Sequence, residues 1–176
     1  DAQLSRGLGD VYKRQQPGTE GLIPNRNVSV GSEDCLYLNI YIPKNQTDLD
    51  KNQFPVMFWI HGGSNIWGSG DFYDFSKLAT TQQVIVVTIN YRLGLFGWFS
   101  SEHLRNTATG LDKSSNFGQL DLIKGLEWVQ ENISAFGGDK DNITIFGESA
   151  GGHNVLTLLA SPLSEGLFHK AISQSG

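Results

Sequence analysis

The chain has 176 residues, of which 39% are apolar and 18% charged, a balance that fits a folded globular chain and excludes a disordered one. Eighteen acidic against thirteen basic residues give a net charge of -5, which argues against nucleic-acid binding driven by overall positive charge and leaves only a local patch open. No run of eighteen apolar residues is present to span a bilayer, and the one cysteine, Cys35, can neither close a disulfide within these residues nor build a cysteine metal cluster.

Asp1–Gln16 has no periodicity that continues beyond Gln16, and its GLGDVYKRQ resembles adaptor read-through at the ends of translated metagenomic fragments. Residues 1–16 are therefore read as a non-native leader. Leu36–Ile42 alternates aliphatic with aromatic or polar side chains, the period of a strand with one buried face, and Pro43 stops it. Lys44–Gln53 is polar turn material. Phe54–Ile60 is a nearly unbroken apolar run that opens into His61-Gly62-Gly63, as a central strand entering a glycine loop would.

Further along, Asp74–Gln83 predicts a short helix and Val84–Asn90 a second strand buried on both faces. Asn116–Ile133 predicts the longest helix, with Leu120, Ile123, Leu126 or Glu127, and Val129 or Gln130 at helical spacing, Asn116 as N-cap and Gly137-Gly138 as its end. A strand at Asn142–Phe146, a turn at Gly147–Ser149, a helix from about Ala150 to Leu159 and a strand at Ala171–Gln174 complete the order. Two strands read as a hairpin-like pair, then helices alternating with strands, predict an α/β fold: a mostly parallel sheet with helices on both faces.

The sharpest chemical feature is Gly147-Glu148-Ser149-Ala150-Gly151, set between an apolar strand and a helix. A G-x-S-x-G run in that setting makes a nucleophile elbow: glycines remove Cβ atoms where strand and helix crowd, so a strained turn holds the serine hydroxyl at the sheet edge. A serine hydroxyl needs a base and a donor pocket to act at neutral pH. The N–H of Ala150, at the start of the helix, is one such donor. His61-Gly62-Gly63-Ser64 supplies small residues whose N–H groups can turn toward a substrate oxygen.

From about Ser32 to Gly176 the chain resembles the type-B carboxylesterase family, α/β-hydrolases that include carboxylesterases and cholinesterases. The residues that carry the resemblance are Glu33-Asp34-Cys35-Leu36-Tyr37-Leu38-Asn39, Asn90-Tyr91-Arg92-Leu93-Gly94, Asn116-Phe117-Gly118, Trp128-Val129-Gln130-Glu131-Asn132-Ile133, Phe136-Gly137-Gly138 with the serine elbow, and Phe168 through Gly176. It implies that residues 17–176 form part of an α/β-hydrolase domain. It further implies a serine carboxylic-ester hydrolase working through an acyl-serine intermediate on a small-molecule ester, with no cofactor or metal.

In that reading Ser149 is the nucleophile, Gly63, Ser64 and Ala150 form the oxyanion hole, and Glu148 supports the electrostatics of the acyl pocket. Ser64 stands where many members have a third glycine, which narrows the pocket. Arg92 and Asp139 fall where an ion pair is expected. The family's triad acid and histidine lie downstream of the serine and are absent from this chain, since His61, His103, His153 and His169 match no triad position; these residues alone are expected to be inactive, with an exposed sheet edge. Cys35 resembles a half-cystine whose partner lies N-terminal, a pairing that would favour a secreted or periplasmic setting. Glu33 resembles half of a salt bridge to an upstream arginine. Asn27, Asn45, Asn132 and Asn142 head glycosylation sequons that matter only in a eukaryotic secretory pathway. Asn65, Ile66, Trp67 and Phe72 lie near the mouth by position. The alternatives are a non-catalytic, neuroligin-like adhesion module of the same fold and an amide-cleaving activity on the same residues.

Overall fold

The computed structural model describes residues 34–43 and 53–176. Five strands form one sheet: β1 (Leu38–Tyr41), β2 (Phe54–Ile60), β3 (Ile85–Ile89), β4 (Gly138–Glu148) and β5 (Lys170–Gln174), in the order β1-β3-β2-β4-β5. β2, β3, β4 and β5 run parallel, and β1 joins antiparallel at one edge. The expected hairpin-like pair does not form. β1 pairs with β3, Leu38 opposite Ile89, because the chain from β1 crosses to β2 at the sheet's centre and leaves the β3 edge open for β1.

Alternation along each strand sorts side chains to two faces. Val56, Phe58 and Ile60 of β2 join Ile85, Val87 and Ile89 of β3 and Ile143 and Ile145 of β4 in the main core. Two helices cover that face: α4 (Phe117–Asn132), through Leu122, Ile123, Leu126 and Val129, and α5 (Ala150–Ala160), through Val155 and Leu158. Gly125 lets α4 settle on the sheet, since a Cβ there would stand 2.2 Å from Ile89 Cδ1. On the opposite face α1 (Ser76–Gln82) packs Ala79 against Trp59, Val86 and Phe146, with Tyr41 and Phe75 at the rim. Helices therefore lie on both faces, as expected.

Asn116 holds the N-cap position of α4 but its side chain makes no cap bond. Two short helices the periodicity did not predict, α2 (Gly94–Trp98) and α3 (Glu102–Thr107), fill the passage from β3 to α4. The expected Arg92–Asp139 pair is replaced by another. Arg92 lies just past the C-terminal end of β3 whereas Asp139 opens β4, and in parallel strands those ends lie on opposite sheet edges. Arg92 instead grips Asp121 of α4, with Nη2 donating to Oδ1 at 2.7 Å and Nε to Oδ2 at 2.8 Å, while Asp139 accepts from the Asp141 N–H at 2.9 Å. Among the described residues no helix is long and apolar enough to cross a membrane. Residues 1–16, Glu33, Asn27 and Asn45 lie outside the described residues, and Cys35 is buried.

Candidate active site

From β2 the chain turns through α1 to β3 on one side; from β3 it crosses back over β2 to β4, and then runs through α5 to β5 on the other side. The crevice at the C-terminal ends of β2 and β4 is thus a topological switch point, where open α/β sheets bind their ligands. The register sets Ile60 opposite Gly147, which brings His61–Ser64 abreast of Glu148–Ala150.

The elbow is built by steric exclusion. A Cβ on Gly147 would lie 2.6 Å from the Gly151 carbonyl carbon, and one on Gly151 only 2.1 Å from the Ile60 carbonyl oxygen. Strand, turn and helix meet too closely for any side chain at those two places. Between them Ser149 is held at φ 55 and ψ -122, a left-sided conformation that costs a non-glycine residue about 1–3 kcal/mol. Its N–H donates to the Gln174 carbonyl at 2.8 Å and its carbonyl accepts from the His153 N–H at 3.0 Å, so both neighbouring elements hold it. The hydroxyl makes no cap bond to α5. Ala150, first residue of that helix, keeps an N–H with no intrahelical acceptor at the positive end of the helix dipole.

The loop after β2 lies directly against this turn: a Cβ on Gly62 would stand 3.2 Å from Ser149 Cβ and 2.7 Å from the Glu148 carbonyl oxygen. Gly63, Ser64 and Asn65 all have positive φ, at 99, 55 and 56. The Gly63 carbonyl accepts from the N–H groups of Ile66, at 2.9 Å, and Trp67, at 3.1 Å, which closes the turn and leaves the Gly63 and Ser64 N–H groups without acceptors among the described residues. The structure thus brings Gly63, Ser64, Glu148, Ser149 and Ala150 to one edge. Glu148 is exposed and its carboxylate leans over Gly62; together with burial, which acts more strongly, it raises the Tyr73 phenol above its ordinary range. Ile66 and Phe72 are exposed apolar side chains beside the loop, and Trp67 lies 6.5 Å from the Phe72 ring.

None of the four histidine rings hydrogen-bonds to Ser149 among the described residues. His61 is buried, stacked on Tyr91 at 4.4 Å between centroids, and its Nδ1–H donates to the Gly62 carbonyl at 2.7 Å, leaving Nε2 buried without a partner. Burial pulls its pKa down to about 4, against the opposing effect of the Gly62 bond, so it is neutral at physiological pH. His103 and His153 are exposed on α3 and α5. His169, whose Nδ1 accepts from the Ile143 N–H at 3.1 Å, precedes β5 and so stands at the opposite edge of the sheet from the elbow.

Three residues to which no role is assigned from the sequence, Tyr91 within the Asn90–Gly94 motif and Asn154 and Gln119 outside any motif, hold the loop in place. The Tyr91 hydroxyl donates to the His61 carbonyl at 2.7 Å, Asn154 Nδ2 donates to Asn65 Oδ1 at 2.9 Å, and Gln119 Nε2 donates to the Asn154 carbonyl at 3.3 Å. Asn154 carried a legible signal: it is a polar residue inside the buried stripe Gly151, Val155 and Leu158 of α5. A surface depression of about 420 Å³, lined by Leu158, Ser161, Pro162 and Phe168 among others, lies at the far end of α5, away from Ser149.

Comparison with known proteins places the chain in a family. The family model described as the carboxylesterase family matches residues 10–176. Carboxylesterase 1E of Rattus norvegicus is 52% identical over 147 residues, covering 82% of this chain and 24% of the relative. Para-nitrobenzyl esterase of Bacillus subtilis is 53% identical over 147 residues, covering 82% of this chain and 28% of the relative. A solved structure of a PNB esterase superposes with a TM-score of 0.75 at 48% identity, covering 88% of this chain and 32% of that one. The chain therefore spans about a quarter of the length of the curated relatives it matches. With its mostly parallel sheet, its two-faced helix packing and its elbow at the switch point, it has the α/β-hydrolase fold and belongs to the carboxylesterase family.

Proposed function

We propose that the protein is a serine carboxylic-ester hydrolase and that Ser149 is its nucleophile. The observation that carries this is the conformation of Ser149: a serine held at φ 55 and ψ -122 between two glycines that tolerate no Cβ, beside a loop with spare N–H donors. Strain of that kind persists only where surrounding structure enforces it, and an adhesive module has no use for it.

In this mechanism Ser149 Oγ attacks the ester carbonyl carbon and gives its proton to a general base, and the carbonyl oxygen becomes an oxyanion. The N–H groups of Gly63, Ser64 and Ala150 donate to that oxyanion, with the α5 dipole behind Ala150. Collapse expels the alcohol, which takes up the proton, and leaves an acyl-serine; water, deprotonated by the same base, then releases the acid. Glu148 places negative charge beside the acyl pocket. The base and its orienting acid are not supplied by His61, His103, His153 or His169, and we assign them to parts of the protein outside these residues, as the greater length of the relatives supports. The substrate is a small-molecule carboxylic ester.

The test is turnover of a short-chain aryl ester by the full-length protein, with fluorophosphonate labelling. Ser149→Ala is expected to lower kcat by about 10⁴-fold or more and to abolish labelling. Labelling of the alanine variant at a different serine would overturn the assignment, and faster cleavage of matched amides than of esters would shift the substrate class.

A further inference from the structure

The two sets of oxyanion donors stand on different elements: Gly63 and Ser64 on the loop after β2, Ala150 on the first turn of α5. One carbonyl oxygen can accept from both only if loop and helix keep a fixed relative position, because hydrogen bonds weaken steeply with distance and angle. The pairing of Ile60 with Gly147 fixes the roots of the two segments. Beyond it the loop leaves the sheet through three consecutive positive-φ residues and has no strand to guide it.

Asn65 adds a side-chain constraint to the packing of Gly62 against the elbow. Its Oδ1 accepts from Asn154 Nδ2 at 2.9 Å, and its carbonyl accepts from the Gly94 N–H at 2.6 Å. The Tyr91 phenol lies 3.3 Å from the same Oδ1, but it has one proton, and the shorter bond to the His61 carbonyl takes it; Asn154 is therefore the donor that Asn65 depends on. Asn154 is 2% exposed and fixed on α5, one helical turn beyond Ala150. Asn65 is the residue after Ser64, and among non-glycine residues asparagine is one of the few that adopt its φ of 56 at little cost.

Resting on the esterase reading, we propose that the Asn65–Asn154 bridge is a positioning device that locks the oxyanion loop to α5, so that the loop donors and the helix donor converge on one oxygen. Asn65 is only half-buried, so its removal takes little from the core; what it removes is alignment. Misalignment acts on the transition state, where charge has moved onto the oxygen, and little on ground-state binding.

A double-mutant cycle on the full-length protein tests this, with Asn65→Gly, Asn154→Ala and the double variant assayed on an aryl ester. Rates are taken per site titrated by fluorophosphonate, so unfolded protein is not counted. Each single variant is expected to lower kcat about 10- to 100-fold with KM within about twofold, and to weaken an aryl boronic acid, which mimics the tetrahedral adduct, in parallel. The double variant should be no worse than the poorer single one, since both remove the same bridge. Losses that multiply in the double variant, or that fall in KM alone, overturn the bridge. Should Asn154→Ala fail to fold, Asn65→Gly decides by itself, because glycine adopts the native φ freely; kcat unchanged in that variant overturns the bridge. A wild-type protein with neither ester turnover nor labelling overturns the esterase reading and the bridge together, whereas an active wild type with uncoupled variants overturns the bridge alone.

Discussion

The two segments that meet at the sheet's C-terminal edge share close backbone packing and differ in what is added to it. The elbow, Gly147–Gly151, is fixed by what cannot fit: each flanking glycine faces a backbone atom within 2.6 Å of where a Cβ would stand, and Ser149 is strained between them. The loop, His61–Gly68, is also crowded, since a Cβ on Gly63 would stand 2.0 Å from the Trp67 carbonyl oxygen, but it adds side-chain bonds from far along the chain, from Tyr91 to the His61 carbonyl and from Asn154 to Asn65, and the packing of the His61 ring. A sterically enforced turn is disturbed by a single added methyl group at a crowded glycine. A turn held by distant hydrogen bonds depends on solvent, pH and the state of its partners.

The largest effect expected from this contrast is at the elbow. Gly151→Ala puts a methyl group 2.1 Å from the Ile60 carbonyl oxygen, a backbone atom at the C-terminal end of β2, so β2 or α5 must shift. We expect a loss of about 3 kcal/mol or more, at the upper end of overpacking costs, read as a fall in denaturation midpoint of the full-length protein. A loss below about 1 kcal/mol would mean that the elbow is not sterically determined, and the contrast with the loop would fail.

The loop should respond to acid instead. His61 is buried neutral, with its pKa lowered from 6.5 to about 4, so protons bind more readily to the unfolded chain. The stability this provides is fully present above pH 6.5 and is lost as pH falls from there toward 4, amounting to roughly 3 kcal/mol over that window. The check is the melting temperature against pH for wild type and His61→Asn, whose amide can donate to the Gly62 carbonyl but does not titrate. The wild type should lose stability more steeply between pH 6.5 and 4; equal slopes would show that burial does not hold the His61 ring neutral.

The same contrast explains what was legible in the sequence. Phe54–Ile60 is read to the residue because a central strand, buried at all positions but Pro55 and Met57, leaves a nearly unbroken apolar run bounded by a turn and a glycine loop. The elbow is legible because the positions that exclude a side chain fall within five residues, although the atom that crowds Gly151 is the distant Ile60 carbonyl oxygen. The start of β4 at Gly138 is not: its Gly138 pairs with Phe54 through backbone, while Asp139–Asn142 carry no apolar alternation. α2 escapes notice because five residues are too few for a period, and its Leu95 and Phe96 are exposed. The partner of Arg92 and the bridge from Asn65 to Asn154 are contacts across 29 and 89 residues, and no local pattern encodes which acceptor a distant side chain will meet.

The smallest effect tests whether the elbow stores strain for use. Ser149→Gly removes the hydroxyl and also the Cβ that makes φ 55 with ψ -122 costly. In most folded positions glycine destabilises by about 0.5–1 kcal/mol through the extra freedom of the unfolded chain. Here relief of about 1–3 kcal/mol of native strain opposes that loss, so a net gain of about 1 kcal/mol is expected alongside loss of turnover. Ser149→Ala, which keeps the Cβ, should gain nothing, and the difference in melting temperature between the two variants isolates the strain from the missing hydroxyl. If glycine proved no more stable than alanine, Ser149 would be at rest in its turn, and the elbow would be a close-packed corner with no energetic trace of the proposed nucleophile.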